Sequence, residues 1–283
     1  MTDISRIHKI ELRLLDEFIS VCDRHNLQWF ADSGTLLGAI RSGEMIPWDD
    51  DIDVIMLRDD YNKLLKIADK EFKAPFFFQH SNTDNFVPAF SKLRLDGTTI
   101  LEQDFYSKNN FLSSFHKGIF IDIFVLDAVP DSEDEFTSLT YMLRYMYNFS
   151  PMKEYDKAND SNHAQNKEML ANLDWLLTQN SIKHSQSRFL ANLYFNKSSK
   201  YRHAVLHRED YVSSLEIDFK GLQHKLRIPC GYERVLETWY GANWRTPIKE
   251  DHNHSFDNAF YDADKSYKEY EKLSLDDYMK LFD

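Results

Sequence analysis

Asp32-Ser33-Gly34-Thr35-Leu36-Leu37-Gly38-Ala39-Ile40-Arg41, followed after Pro47-Trp48 by Asp49-Asp50-Asp51-Ile52-Asp53-Val54-Ile55-Met56, is the part of this sequence that decides the fold. The second stretch places four aspartates within five positions, at the start of an apolar segment. Carboxylates this close repel one another, and burying them is costly, unless a cation holds them together. The pattern therefore predicts a divalent metal site at this point of the chain.

The apolar residues after the aspartates predict a strand from Asp51 to Leu57. Side chains along a strand alternate between its two faces, so Asp49, Asp51 and Asp53 are expected on one face and Asp50 on the other. Asp51 and Asp53 are therefore the pair expected to grip one ion. Apolar residues follow on both faces, which predicts a strand that is covered on both sides and central to its sheet.

A strand, a glycine turn and a helix precede the acidic segment. Leu27 to Ala31 is expected to form a short strand, Ser33-Gly34 to break it, and Thr35 to Ile40 to form a helix. Backbone N–H groups at a helix start, exposed beside a glycine, form a ready anion site. Two interpretations stay open, a phosphate-binding turn and a glycine that only serves the turn.

A single charge, Asp122, interrupts the most apolar run of the chain, Gly118 to Leu126. A buried carboxylate is costly unless it is paired, hydrogen-bonded or bound to a metal, so position alone leaves a structural and a catalytic role equally open. Upstream, Lys92 and Arg94 share one face of an expected strand from Phe86 to Leu95. They are either ordinary solvated residues or phosphate ligands.

The composition is that of a folded globular protein, with 283 residues of which 42% are hydrophobic. The 46 acidic residues outnumber the 34 basic ones, and the net charge of -12 argues against a nucleic-acid partner. Cys22 and Cys230 give no disulfide framework, and the first residues resemble no signal peptide. Since no apolar run approaches the length of a membrane span, we expect a cytoplasmic protein without a transmembrane segment.

The rest of the chain is expected to add mainly helices. Helical spacing predicts an amphipathic first helix from about Ile4 to His25, with its charged residues on the side away from the core. After Pro130 the same spacing predicts three further helices, the last of them around Phe189 to Tyr194. A hairpin about Lys220-Gly221 and a helix from Tyr232 to Tyr240 are expected to follow.

Three motifs resemble the LicD family, which includes the fukutin-type enzymes and has the nucleotidyltransferase superfold. Gly34 to Arg41 followed by Ile46 to Asp53 is similar to the first signature of that family, and Ile121 to Asp127 to the second. Tyr240-Gly241, followed by Trp244 and Pro247, is similar to a late element. Ser33 and Ser42 depart from the pattern, because the family often has a glycine and a histidine at these positions.

The resemblance implies an α+β fold, a nucleotidyltransferase-like mixed sheet flanked by helices, with a largely helical second half. Residues 1–130 would form the catalytic core, and residues 131–283 a mostly helical acceptor or substrate region packed on it. By the same resemblance Asp51, Asp53 and Asp122 would be the catalytic and metal-binding residues. The substrate or its phosphates would be bound by Gly34, Thr35, Arg41, Trp48, Asp49, Asp50, Lys92 and Arg94.

The activity that the resemblance implies is transfer of a phospho-alcohol, such as phosphocholine, from a CDP-activated donor to a sugar hydroxyl. The acceptor would be a surface glycan or its precursor, such as teichoic acid or lipopolysaccharide, and the cofactor Mg²⁺, with Mn²⁺ as a substitute. A location at the inner face of the membrane would bring the protein into peripheral contact with a lipid-linked glycan. An aromatic cage for choline is left unassigned among Trp29, Trp48 and Trp244.

Two other functions remain open. The same three acids would serve a nucleotidyltransferase that places a nucleoside monophosphate on a small molecule or protein. A catalytically silent nucleotide-binding module would keep the fold without turnover. A structural calcium site of the EF-hand type is disfavoured, because residues 49–53 lack the downstream glycine and glutamate of that loop.

Overall fold

The chain is organised around a mixed β-sheet to which both halves of the sequence contribute strands. The computed structural model describes residues 4–84, 90–102, 115–148, 160–193, 205–247 and 259–282. Within these residues the helices are α1 (Ile4–Arg24), α2 (Ser33–Arg41), α3 (Arg58–Glu71), α4 (Glu133–Asn148), α5 (Asp160–Lys183), α6 (Tyr232–Tyr240), α7 (Tyr267–Tyr270) and α8 (Leu275–Met279). The strands are β1 (Phe30–Ala31), β2 (Asp53–Leu57), β3 (Phe76–Gln79), β4 (Ser91–Leu95), β5 (Thr99–Glu102), β6 (Phe120–Val129), β7 (Phe189–Ala191), β8 (Leu206–His207), β9 (Ser214–Ile217), β10 (Leu226–Pro229) and β11 (Ala259–Asp262).

The main sheet has the strand order β1-β2-β6-β4-β3. β2 and β6 run parallel, whereas β1, β4 and β3 are antiparallel to their neighbours. β6 is ten residues long and buried throughout, so its last residues extend past β4 and pair with β7. β9 with β10 and β11 with β5 form two separate two-stranded sheets.

The α+β class with a mixed sheet is confirmed, and so are most of the expected elements. The first helix, the hairpin and the helix ended by Gly241 form as expected. The helix expected around Phe189 is wrong, because these residues form β7 and bury Leu190 and Ala191 beside β6. A short apolar run does not by itself distinguish a strand from a helix. Here the last residues of β6 extend past β4, and pairing with them makes this run a strand. Tyr194, and the first residues of the expected strand Phe86–Leu95, lie outside the described residues.

No helix within the described residues is both long and apolar enough to cross a membrane. The division into a core of residues 1–130 and a second region of residues 131–283 stays a prediction.

His116 fixes the turn before β6 and is 6% exposed. Its Nδ1 accepts a hydrogen bond from the Gly118 N–H at 3.1 Å, so Nε2 carries the proton and donates to Asp96 Oδ1 at 2.8 Å. Protonation of Nδ1 would break the first of these bonds. Burial lowers the pKa of His116 to about 4, while the pKa of an unfolded histidine is about 6.5.

We expect His116 to make the free energy of unfolding strongly dependent on pH. Because the folded pKa lies below the unfolded one, the unfolded state binds the proton more readily, and stability falls as the pH drops from about 6.5 to about 4. The loss from this group is on the order of 3 kcal/mol. Urea unfolding of the unaltered protein and of His116→Gln across this pH range measures the loss as the difference between their free energies of unfolding. Parallel curves for the two proteins would contradict this prediction.

Candidate active site

Three strands place the central residues of the site in one row. In the parallel pair β2 and β6, Asp53 lies opposite Asp122, and the Asp122 N–H donates to the Ile52 carbonyl at 2.9 Å. In the antiparallel pair β4 and β6, Lys92 lies opposite Asp122. Side chains in register on neighbouring strands point to the same face of a sheet. Asp53, Asp122 and Lys92 therefore face one space from three adjacent strands.

The carboxylates form two groups that share Asp51. One oxygen each of Asp51, Asp53 and Asp122 lies within 4.8 Å of the others, and the same holds for Asp49, Asp50 and Asp51. The expectation that Asp50 points away from its neighbours is wrong. β2 begins only at Asp53, so strand alternation does not apply to residues 49–52, and the loop turns Asp50 towards Asp49 and Asp51.

The charged forms of these carboxyl groups are disfavoured where they stand. Burial, followed by the carboxylates around it, raises the pKa of Asp51 and of Asp53 well above the usual range. Burial also raises the pKa of Asp122, although Lys92 opposes this effect. Asp53 Oδ1 is buried and accepts no hydrogen bond from any described residue. A buried carboxylate oxygen left in this way, within reach of two other carboxylates, is what a divalent cation with oxygen ligands would satisfy.

Lys92 supplies a cation to this row. Its Nζ donates to Asp122 Oδ1 at 2.6 Å and lies 3.3 Å from the centroid of the Phe120 ring. Lys92 is 7% exposed, so the interpretation as an ordinary solvated residue is wrong. Its strand is internal to the sheet, and a buried ammonium is stable there because it is paired.

The glycine turn, Ser33-Gly34, is packed against residues 49–52, the acidic loop. A Cβ on Gly34 would lie 2.1 Å from Asp49 Oδ2, so only glycine permits this approach without displacing the Asp49 side chain. The Asp49 carboxylate thus lies beside the start of α2, where a phosphate-binding turn is one of the two interpretations of the sequence. Thr35 Oγ1 accepts a hydrogen bond from the Asp53 N–H at 2.9 Å, which ties the start of α2 to the start of β2. Ser33, which stands at a frequent glycine position of the family, has a φ of 47°.

The other three predicted substrate ligands have different surroundings. Arg41 donates to the carbonyls of Trp244 and Thr246, which holds the segment after α6 against α2. Arg94 is 2% exposed and donates to Gln79 and to the Gly118 carbonyl. Trp48 is 36% exposed beside the acidic loop.

Of the three tryptophans considered for a choline cage, only Trp48 is exposed to this extent. Trp29 is fully buried against Phe18, and Trp244 is 3% exposed. These two residues are part of the hydrophobic core.

Sequence reasoning missed a buried carboxyl on α1. Glu11 is 1% exposed, although the charged residues of this helix were expected on the solvent side. Burial and then Asp51, Asp50, Asp49 and Asp122 raise its pKa well above the usual range. The spacing in the sequence does indicate this burial. Glu11 follows Ile7 by four positions and precedes Leu14 by three, which places it on the buried face of the helix.

Two more residues border the site. Asp32, directly before the glycine turn, is 3% exposed, and burial raises its pKa to about 6. Tyr240 is 43% exposed, and burial of its hydroxyl, followed by the carboxylates of Asp32 and Asp53, raises the pKa of the phenol. Tyr240 belongs to the late motif of the sequence, and α6 packs on α2.

Two comparisons with known proteins indicate what this chain is similar to. A sequence model of the family described as LicD/FKTN/FKRP, nucleotidyltransferase domain, matches residues 26–159, which include Asp51, Asp53 and Asp122. The lipopolysaccharide cholinephosphotransferase LicD of Haemophilus influenzae is 26% identical over 258 residues, which cover 85% of this chain and 91% of that protein. On its motifs, its mixed sheet and these two matches, the chain is similar to the LicD family, and residues 26–159 carry the match to the nucleotidyltransferase domain of that family.

Proposed function

We propose that this protein is a magnesium-dependent phosphotransferase that moves a phospho-alcohol of the phosphocholine type from a CDP-activated donor to a sugar hydroxyl. The acceptor is a cell-surface glycan or its precursor. The observation that carries the proposal is the group of carboxylate oxygens from Asp51, Asp53 and Asp122, which lie within 4.8 Å of one another. The similarity to a lipopolysaccharide cholinephosphotransferase supports the chemical class of both substrates.

The residues of the site fit a divalent cation. Asp51, Asp53 and Asp122 would hold it, and Mn²⁺ would substitute for Mg²⁺ because both accept oxygen ligands. When bound, the cation would neutralise charge on the donor diphosphate and on the leaving oxygen. The fit rests on Asp53 Oδ1, a buried oxygen to which no described residue donates.

Asp122 is the proposed general base. The acceptor hydroxyl oxygen attacks the phosphorus that carries the alcohol, the bond from this phosphorus to CMP breaks, and the hydroxyl proton passes to Asp122. Lys92 holds Asp122 Oδ1 at 2.6 Å and so fixes the orientation of the carboxylate. Thr35 Oγ1 accepts a hydrogen bond from the Asp53 N–H at 2.9 Å, which holds the first residue of β2 against the start of α2.

The remaining predicted ligands keep their proposed roles around the donor. The Asp49 carboxylate lies close to Gly34 at the start of α2, so a donor phosphate at these backbone N–H groups would displace it. Trp48 and Asp50 border the same loop, whereas Arg41 and Arg94 would have to exchange present hydrogen bonds for a phosphate. A cytoplasmic site at the inner face of the membrane would give access to a lipid-linked acceptor.

A donor panel tests the proposed function. Purified protein is incubated with Mg²⁺, a lipopolysaccharide or teichoic acid acceptor, and each of CDP-choline, CDP-ethanolamine, CDP-ribitol, CDP-glycerol and the common nucleoside triphosphates. We expect acceptor-dependent release of CMP that stops in EDTA. Release of pyrophosphate from a nucleoside triphosphate would instead support the nucleotidyltransferase alternative. Binding of donor without release of either product would support the silent module.

A further inference from the structure

Glu11 lies on the buried face of α1, in line with apolar residues one turn away on either side. It is 1% exposed, and Ile7 and Leu14 on the same face are fully buried. Its Oε2 atom is buried and accepts no hydrogen bond from the described part of the chain. An acid in such a position costs free energy, because the helix would pack as well with an apolar residue there.

α1 packs directly against the acidic loop. His8 stands on the same face, three residues before Glu11, and its Nε2 lies 2.7 Å from the Asp49 carbonyl oxygen. α1 also packs across β4 and β6, the strands that carry Lys92 and Asp122. Glu11 therefore lies on the face of α1 that packs towards the acidic loop and these strands, and its electrostatic neighbours are Asp51, Asp50, Asp49 and Asp122.

The charges of the site make this placement informative. Glu11 and the five aspartates at positions 49, 50, 51, 53 and 122 bring together six carboxyl groups, more than the charges of Lys92 and Arg94 can neutralise. Packing alone gives no reason for an acid at this position, since burial and each neighbouring carboxylate disfavour its charged form. A cation bound at Asp51 would turn the same position from unfavourable to favourable.

We propose that Glu11 is a positioning residue of the metal site, whose carboxylate accepts a hydrogen bond from a water molecule on the cation held by Asp51. A bridging water is needed because Glu11 belongs to neither group of carboxylate oxygens that lie within 4.8 Å of one another. Magnesium keeps several of its waters when it binds to proteins, and partners that orient such ligands support metal affinity. The inference rests on the metal site of the proposed function.

Metal affinity tests the proposal without any donor substrate. Mn²⁺ binding is titrated by electron paramagnetic resonance on the full chain, on Glu11→Gln and on Glu17→Gln. We expect Glu11→Gln to weaken Mn²⁺ binding about tenfold to a hundredfold. Glu17→Gln makes the same substitution on the same helix at a half-exposed position, and we expect it to bind Mn²⁺ as the unaltered protein does.

Thermal unfolding in EDTA gives a second readout. Without metal, Glu11→Gln removes a buried repelled carboxyl, so its Tm should exceed that of the unaltered protein by roughly 2 °C or more. The gain in Tm on adding Mg²⁺ should be smaller in the variant. A structural role for Glu11 would instead lower the Tm equally with and without metal.

The outcomes separate this proposal from the one on which it rests. Unchanged Mn²⁺ affinity in Glu11→Gln would overturn the role of Glu11, whatever the donor panel shows. If the unaltered protein itself binds no Mn²⁺, the metal site fails together with the role of Glu11.

Discussion

Asp53→Asn is expected to reduce donor turnover by roughly a thousandfold, because a bound cation contributes several kcal/mol to the transition state and each 1.4 kcal/mol is about tenfold in rate. Asp53 is the residue whose loss matters most, since its Oδ1 is buried and has no partner in the described chain. Asparagine keeps the shape of the side chain but removes the charge that would hold the cation. CMP release from the preferred donor, measured at saturating Mg²⁺, gives the reduction.

Asp53→Asn should raise the thermal stability of the metal-free protein, although it lowers turnover. Burial and the carboxylates of Asp51 and Asp122 raise the pKa of Asp53, so this side chain costs stability in the folded protein at neutral pH when metal is absent. We expect Asp53→Asn to unfold at a higher temperature than the unaltered protein in EDTA, and to gain nothing from Mg²⁺. Asp59→Asn, at an exposed position on α3, is the matched control for both measurements. Full activity of Asp53→Asn, or an unchanged gain in Tm on adding Mg²⁺, would refute the metal assignment.

Asp127→Asn is expected to destabilise the protein by about 3–5 kcal/mol, because it leaves a buried arginine without its main partner. Arg58 is 3% exposed and Asp127 is fully buried. The guanidinium donates to both carboxylate oxygens, with Nε to Oδ1 at 2.7 Å and Nη2 to Oδ2 at 2.8 Å. Asp174, which is 40% exposed, and Ser181 complete the network and tie α5 to β6. Urea unfolding measures the loss.

The double variant Arg58→Met/Asp127→Leu tests the reason for this loss. Removing both charges replaces an ion pair by apolar contacts, so we expect it to recover much of the stability that Asp127→Asn loses. Asp127 lies five residues after Asp122 on β6 and therefore on the opposite face of the sheet, towards α3 and α5. Turnover per folded molecule should thus stay close to that of the unaltered protein in Asp127→Asn. A variant that stays fully stable, or one that folds but loses turnover, would contradict this structural role.

Local patterns in the sequence predicted much of the site. The spacing of Asp51 and Asp53, and the lone charge of Asp122 in an apolar run, identified three residues that the fold brings within 4.8 Å of one another. Their roles in metal binding and catalysis stay predictions. The prediction for Asp50 was wrong, because strand alternation does not apply where the chain forms a loop. It also left Lys92 undecided, since the sequence does not show that β4 is internal and aligned with Asp122.

By itself, the sequence determined the elements that depend on neighbouring residues: the amphipathic α1, the glycine turn before α2, the apolar β2 and β6, and the acids at their ends. Only the tertiary structure decided which side chains lie together at the site. The parallel register of β2 and β6 sets Asp53 beside Asp122, and the packing of α1 brings Glu11 to face the acidic loop. Hydrophobic periodicity specifies which face of an element is buried, but not which element covers it. For that reason the four crowded aspartates could be recognised in the sequence, whereas their partners on α1 and β4 required the fold.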